Sequence, residues 1–189
     1  MALQEILEFE QKVASTLDDP RDVGMAYVNL GNELAGKGMD SSVPAFIALN
    51  IFKSINDVNG IVQAAMIIAN HLFLNSQYNH ALNYLKMADS YLGEDSDSKL
   101  KAYILDKIGF IYFQQKQYPD SIEHYMKCAE MFETLGDVNE IPKIYSTLGL
   151  IYQDLNQGER ANEMFMKASR IARDAGNVAD AEKYESFVL

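Results

Sequence analysis

Apolar side chains recur three and four residues apart along almost the whole chain, and no run alternates with the period of two that a strand surface requires. The pattern predicts helices throughout, divided at regular places by Gly, Asn and Asp. A leading helix is expected over residues 2–17. Four helix pairs follow, with first helices near 21–36, 58–75, 98–115 and 138–155 and second helices near 41–54, 78–91, 118–134 and 158–174. A short last helix is expected at 178–187. Gly136 and Gly176 stand where a left-handed residue can close a helix, and Asp19, Asp57 and Asp137 stand where a carboxylate can cap the next one.

The helices repeat in sequence as well as in kind. Leu148-Gly149-Leu150-Ile151-Tyr152 restates Ile108-Gly109-Phe110-Ile111-Tyr112 at a spacing of 40. Ile68-Ala69-Asn70-His71-Leu72 lies 40 residues before the latter, and Leu30-Gly31-Asn32-Glu33-Leu34 lies 38 before that. A fixed period of this size marks a stacked array in which each unit buries its apolar face on its neighbours. The expected fold is all-α: a right-handed superhelical solenoid of antiparallel helix pairs, about four repeats long with a half-repeat at each end. The units run about 21–57, 58–97, 98–137 and 138–177, forming one solenoid domain over 1–189 with cap helix 2–17 and C-terminal helix 178–187.

The residues at the recurring positions resemble the tetratricopeptide repeat family. Ile108, Gly109, Tyr112, Ser121, Tyr125 and Cys128 supply its large and small positions in repeat three, and Leu148, Gly149, Tyr152, Ala161, Phe165 and Ala168 do so in repeat four. Repeat two has Ile68, Ala69, Leu72, Ala81, Leu85 and Ala88. Repeat one is looser, with Val43, Ile47 and Asn50 falling at the second-helix positions. The 40-residue unit is similar to the longer-helix variety of that family. Small residues belong where helix axes cross closely, so Cys128 is expected to be a buried structural thiol.

The resemblance implies a partner-binding groove lined by the first helices. By position it comprises Val28 and Asn32; Met66, Asn70 and Phe73; Asp106, Phe110 and Phe113; and Ser146, Leu150 and Gln153, with Tyr103 and Lys143 at the rim. Asn32 and Asn70 could grip the backbone of an extended peptide. The clamp by which related co-chaperones hold a terminal carboxylate is absent, because Val28, Met66, Asp106 and Ser146 fill its places. The middle of the groove reads as apolar, a patch suited to an apolar side chain or an amphipathic helix.

Composition narrows the classes further. A net charge of −11 without a basic stripe argues against nucleic acid and anionic membrane as partners. Cys128 is the only cysteine, which excludes an internal disulfide and a thiolate metal site. His71, His80 and His124 lack metal-ligand spacing, and Asp95-Ser96-Asp97 lacks the Gly and distant Glu of a calcium loop. No phosphate loop or nucleophile elbow appears, so neither cofactor nor catalysis is expected. No secretory signal opens the chain and no apolar stretch spans a bilayer, which makes a cytoplasmic protein the expectation. Function is therefore read as a non-enzymatic scaffold that binds a peptide or helix of a partner protein. A peptide-sensing regulatory module and a self-assembling structural protein, oligomerising through its terminal helices, are the alternatives.

Overall fold

The computed structural model describes residues 8–11, 13, 15, 17–93 and 98–188. Leu3, Ile6, Leu7 and Ala14 of the leading helix, the Asp95-Ser96-Asp97 loop and Leu189 lie outside the described residues. Among the described residues all regular structure is helical. The backbone groups into two compact units, Met1–Asp95 and Ser96–Leu189.

In the first unit, helical residues at 8–11, 13 and 15 precede α1 (Pro20–Gly36), α2 (Ser42–Ser54), α3 (Val58–Leu74) and α4 (Tyr78–Leu92). Helix α2 packs on both α1 and α3, and α3 packs on α4. The second unit holds α5 (Lys99–Gln114), α6 (Tyr118–Leu135), α7 (Ile141–Asp154), α8 (Gly158–Asp174) and α9 (Val178–Glu185). There each helix packs on the next in order. This is the all-α solenoid of antiparallel helix pairs that the repeat period implies.

The turn inside each pair is built from the same hydrogen bonds. Gln77, Gln117 and Gln157 donate their backbone N–H to the carbonyls of Leu72, Tyr112 and Tyr152, at 2.8, 2.9 and 2.8 Å. The residue before each Gln takes the left-handed conformation, with φ of 58° at Ser76, 57° at Lys116 and 58° at Asn156. This closure satisfies carbonyls that a helix end otherwise leaves without partners. In repeat one the same place is taken by Gly38, at φ 68°.

Carboxylates cap the first helices where the sequence places them, with one exception. Asp19 accepts from the Arg21 N–H at 2.8 Å, and Asp57 accepts from that of Gly60 at 3.2 Å. Asp137 does not cap α7, which begins at Ile141 instead of near 138. Pro142 explains the late start. Its missing N–H and its ring are tolerated only in the first turn of a helix, and a helix begun at 138 would bury both in its interior. Asp137 pairs instead with Lys99, which draws the carboxyl below its usual range mainly through that hydrogen bond.

The second helix of repeat one sits in a different register from the sequence reading. Val43 is 58% exposed and Asn50 is exposed, whereas Ala45, Leu49 and Phe52 are buried. Their spacing of four and three matches Ala81, Leu85 and Ala88 of repeat two. Leu30 to Ala45 spans two residues more than Ile68 to Ala81, so the extra residues lie in the turn. Phe52 therefore stands where later repeats place Ala88, Cys128 and Ala168. Its bulk is accommodated by glycine on both sides. A β-carbon on Gly24 of α1 would fall 2.7 Å from the Phe52 ring, and one on Gly60 of α3 would fall 2.2 Å from it.

Candidate functional site

The core fixes which side of each first helix remains open. In α5, Ile104, Ile108 and Ile111 are buried, and in α7 Ile144, Leu148 and Ile151 are buried. Residues on the opposite side of the same turns are partly exposed, as the helical period requires.

In the first unit this side carries Asn32, which is exposed, and the half-buried Met66, Asn70 and Phe73. Val28 does not join them. It is 2% exposed and packs in the core with Leu49, Phe52 and Ile61, so it offers nothing to a ligand. Phe73 meets Tyr78 edge to face, with ring centroids 5.6 Å apart, across the turn that joins its own helix pair.

In the second unit Asp106, Phe110 and Phe113 form one stripe along α5, all half-buried. Phe113 leans on Tyr118 with centroids 6.3 Å apart, in the relation Phe73 has to Tyr78 one repeat earlier. Tyr103 packs against Phe132 at 5.4 Å and is a wall of the core more than a rim. On α7, Leu150 is 40% exposed and Lys143 is exposed, its ammonium bonded to Glu140 at 3.2 Å. Ser146 is 8% exposed, so it too falls on the buried side of its helix. Gln153 donates to the Phe187 carbonyl at 3.3 Å, fastening the end of α9 beside α7.

Asp106 is the electrostatic centre of this side. Burial pushes its carboxyl above the usual range, Glu140 adds to the shift, and Lys107 and Lys143 oppose it. Beneath it, Cys128 is fully buried with its thiol 3.1 Å from the Ala102 carbonyl. Burial raises the Cys128 thiol and the Tyr125 hydroxyl far above their ordinary values, and Asp106 reinforces both. A thiolate is thus strongly disfavoured, and the side chain serves as packing.

Among the described residues no three His, Cys, Asp or Glu side chains converge as a metal site. No helix of the described residues is long and apolar enough to cross a membrane. One polar group escaped the sequence reading: Glu133 of α6, Tyr145 of α7 and Lys167 of α8. The Lys167 ammonium bonds the Tyr145 hydroxyl, which donates to Glu133 at 3.0 Å. Tyr145 lies between Ile144 and Ser146 on a buried face, so periodicity marks it only as core.

Helix pairs of this length, with glycine or alanine at the crossings, define a helical-repeat solenoid. Residues 100–174 match the tetratricopeptide repeat family model. No curated protein sequence matches the chain significantly. Solved structures share the fold. Aspartyl phosphate phosphatase F from Bacillus subtilis superposes with a TM-score of 0.80 at 21% identity, covering 94% of this chain and 47% of its own. A signal transduction ATPase from Pyrococcus horikoshii, with a tetratricopeptide repeat sensor, gives 0.74 at 20% identity over 96% of this chain and 30% of its own. A putative kinesin light chain from Podosopora anserina gives 0.70 at 11% identity, over 90% and 89%. The chain thus spans about half the length of the phosphatase. At these identities the likeness is one of fold.

Proposed function

We propose that the chain is a non-catalytic interaction module and that the open side of α5 and α7 in its second unit binds an apolar-faced peptide or helix of a partner protein. The fold supports a protein-protein interaction scaffold, the usual work of tetratricopeptide arrays. The observation that carries the finer reading is the surface made by Phe110, Phe113 and Leu150. These three large apolar side chains remain partly open although the core below them is filled. Such side chains become binding hot spots when a partner removes them from water. Asp106 within the stripe would favour a cationic residue in the bound segment. Asn32 and Asn70 support a separate reading within the first unit, where amides suit an extended backbone. A cytoplasmic setting and the absence of nucleic-acid and membrane partners belong to the same reading, supported by the charge of −11.

Affinity isolation from source cells tests it, comparing wild type with Leu150→Asp and Phe110→Ala. Leu150 is exposed, so its replacement should leave the fold intact while a carboxylate disrupts an apolar contact. A partner recovered with wild type and lost with both variants supports the proposal. Recovery of the same proteins in the same amounts by all three overturns it.

Regulation by a bound peptide is the second reading, supported by the likeness in fold to a protein described as carrying a tetratricopeptide repeat sensor. Small-angle scattering with and without the isolated partner segment would show compaction on binding, and unchanged dimensions would exclude it.

A further inference from the structure

The outer side of α2 is apolar where the later second helices are polar. Counted from Ala45, Ala81, Ser121 and Ala161, the places of Pro44 and Ile47 hold His80 and Asn83 in repeat two. They hold Asp120 and Glu123 in repeat three, and Arg160 and Glu163 in repeat four. Packing inside repeat one does not account for the difference, because Ala45, Ala48, Leu49 and Phe52 fill the core. Val43 is left 58% exposed, and Phe46, one turn further on, 39%.

Val43, Pro44 and Ile47 wall a cavity of about 250 Å³ within the first unit, together with Leu30 and Leu34 of α1. Small-molecule sites begin at roughly 300 Å³, so the space suits one inserted side chain better than a cofactor. Glu10 and Asp40 stand on its lining, and no lysine or arginine is among the described residues there. Glu10 lies near Tyr27, whose hydroxyl is pushed above its ordinary value by burial first and by that carboxylate second. Asp40 is held below the usual carboxylate range, chiefly by the Ser42 hydroxyl, and so stays charged. The Ser42 hydroxyl and N–H donate to its Oδ1 at 2.6 and 2.8 Å, and His71 Nε2 lies 3.4 Å from the same oxygen. Oδ2 takes part in none of these three contacts.

Apolar walls beside two carboxylates select a side chain with a long apolar stem and a cationic head, as lysine and arginine have. A free cation would meet the carboxylates and leave Val43 and Phe46 in water. A peptide with apolar residues next to its cation covers them. We propose that this cavity receives a lysine or arginine side chain of a partner protein, from a segment whose neighbouring apolar residues cover Val43 and Phe46. The site involves neither Leu150 nor Phe110 and is independent of the partner-binding reading above.

Methyl NMR tests this with a blocked peptide of alternating leucine and arginine as the probe. Titration should move the signals of Leu34, Val43 and Ile47 to saturation. Glu10→Gln combined with Asp40→Asn should raise Kd about tenfold or more, the effect of losing a hydrogen bond to a charged group. Asparagine at 40 keeps an oxygen for the Ser42 N–H, so the start of α2 is preserved. Glu10→Gln alone should weaken binding in the same direction. Asp120→Asn combined with Glu159→Gln removes the same charge elsewhere and should bind as wild type does. The proposal is overturned if the three methyl signals stay in place, if the two double variants weaken binding equally, or if a leucine and glutamate peptide moves the same signals as strongly. Equal affinity for n-butylguanidinium alone overturns it as well, because that result describes a site for a free cation.

Discussion

The ring of Phe165 lies 2.5 Å from the point where a β-carbon on Gly149 would stand. Phe165 is fully buried and cannot swing aside, so the α7–α8 crossing admits glycine alone. Gly149→Ala should destabilise the second unit by about 1–3 kcal/mol, the usual cost of overpacking a filled core. Gly109→Ala meets the Tyr125 ring at 3.2 Å and should cost less. Gly31→Ala meets Ile67 at 3.4 Å, an ordinary contact, and repeat two already carries Ala69 at that position. It should be neutral or stabilising by up to about 1 kcal/mol through reduced chain entropy. Urea melts of the three variants give the order directly, and equal losses would contradict the crossing geometry.

The turns inside the helix pairs invite the opposite substitution. Ser76, Lys116 and Asn156 hold φ between 57° and 58°, a conformation that strains a side-chain-bearing residue. Lys116→Gly should raise stability by about 0.5–1 kcal/mol, and Ser76→Gly by a similar amount, since relief of strain exceeds the added freedom of the unfolded chain. Asn tolerates this region better, so Asn156→Gly should gain less. A fall in the denaturation midpoint for Lys116→Gly would show that the left-handed turn is not populated in solution.

Helix positions were legible because one period of three and four residues runs through every repeat and the 40-residue restatement supports it independently, although Pro142 delays the start of α7 to Ile141. Three features were hidden for identifiable reasons. The second helix of repeat one offers two registers, because Val43-Ile47-Asn50 has the same spacing of four and three as Ala45-Leu49-Phe52. Only the pairing of Phe52 with Gly24 and Gly60 selects the second, and those glycines lie on two other helices. The groove positions were carried over from a family pattern, which places Val28 and Ser146 on the open side. Here both turn into the buried side, at 2% and 8% exposure, because the face of a helix is set by what packs on it. The Glu133–Tyr145–Lys167 group joins three helices and leaves no local trace in the sequence.

The raised Asp106 carboxyl has a consequence for stability. A carboxylic acid whose folded value lies above its unfolded one takes up its proton more readily in the folded state. Its favourable contribution is fully present below the unfolded value and is lost as pH rises through the folded one. Near neutral pH the buried charge therefore opposes folding, with Glu140 adding to the effect and Lys107 and Lys143 offsetting part of it. Asp106→Asn should be more stable than wild type at neutral pH, and the advantage should shrink as acidification protonates Asp106 in the wild type. Denaturant midpoints measured at several pH values check this. An advantage independent of pH would point to the shape of the amide and not to the lost charge.

Cys128 offers a probe of the second unit's core. Its sulfur is fully buried against the Ala102 carbonyl, and burial with Asp106 nearby keeps it as the thiol. An alkylating reagent attacks the thiolate, so labelling must wait for the core to open. Mass spectrometry should find the native protein almost unlabelled over a time in which the urea-unfolded chain reacts fully. Gly149→Ala, which strains the neighbouring α7–α8 crossing, should label faster in native buffer, because the population of open states rises as the core loses stability. Arg170→Glu, on the exposed side of α8, should leave the rate unchanged. Complete labelling of native wild type within the dead time of mixing would mean that Cys128 is accessible and that the α5–α6 crossing is looser than described.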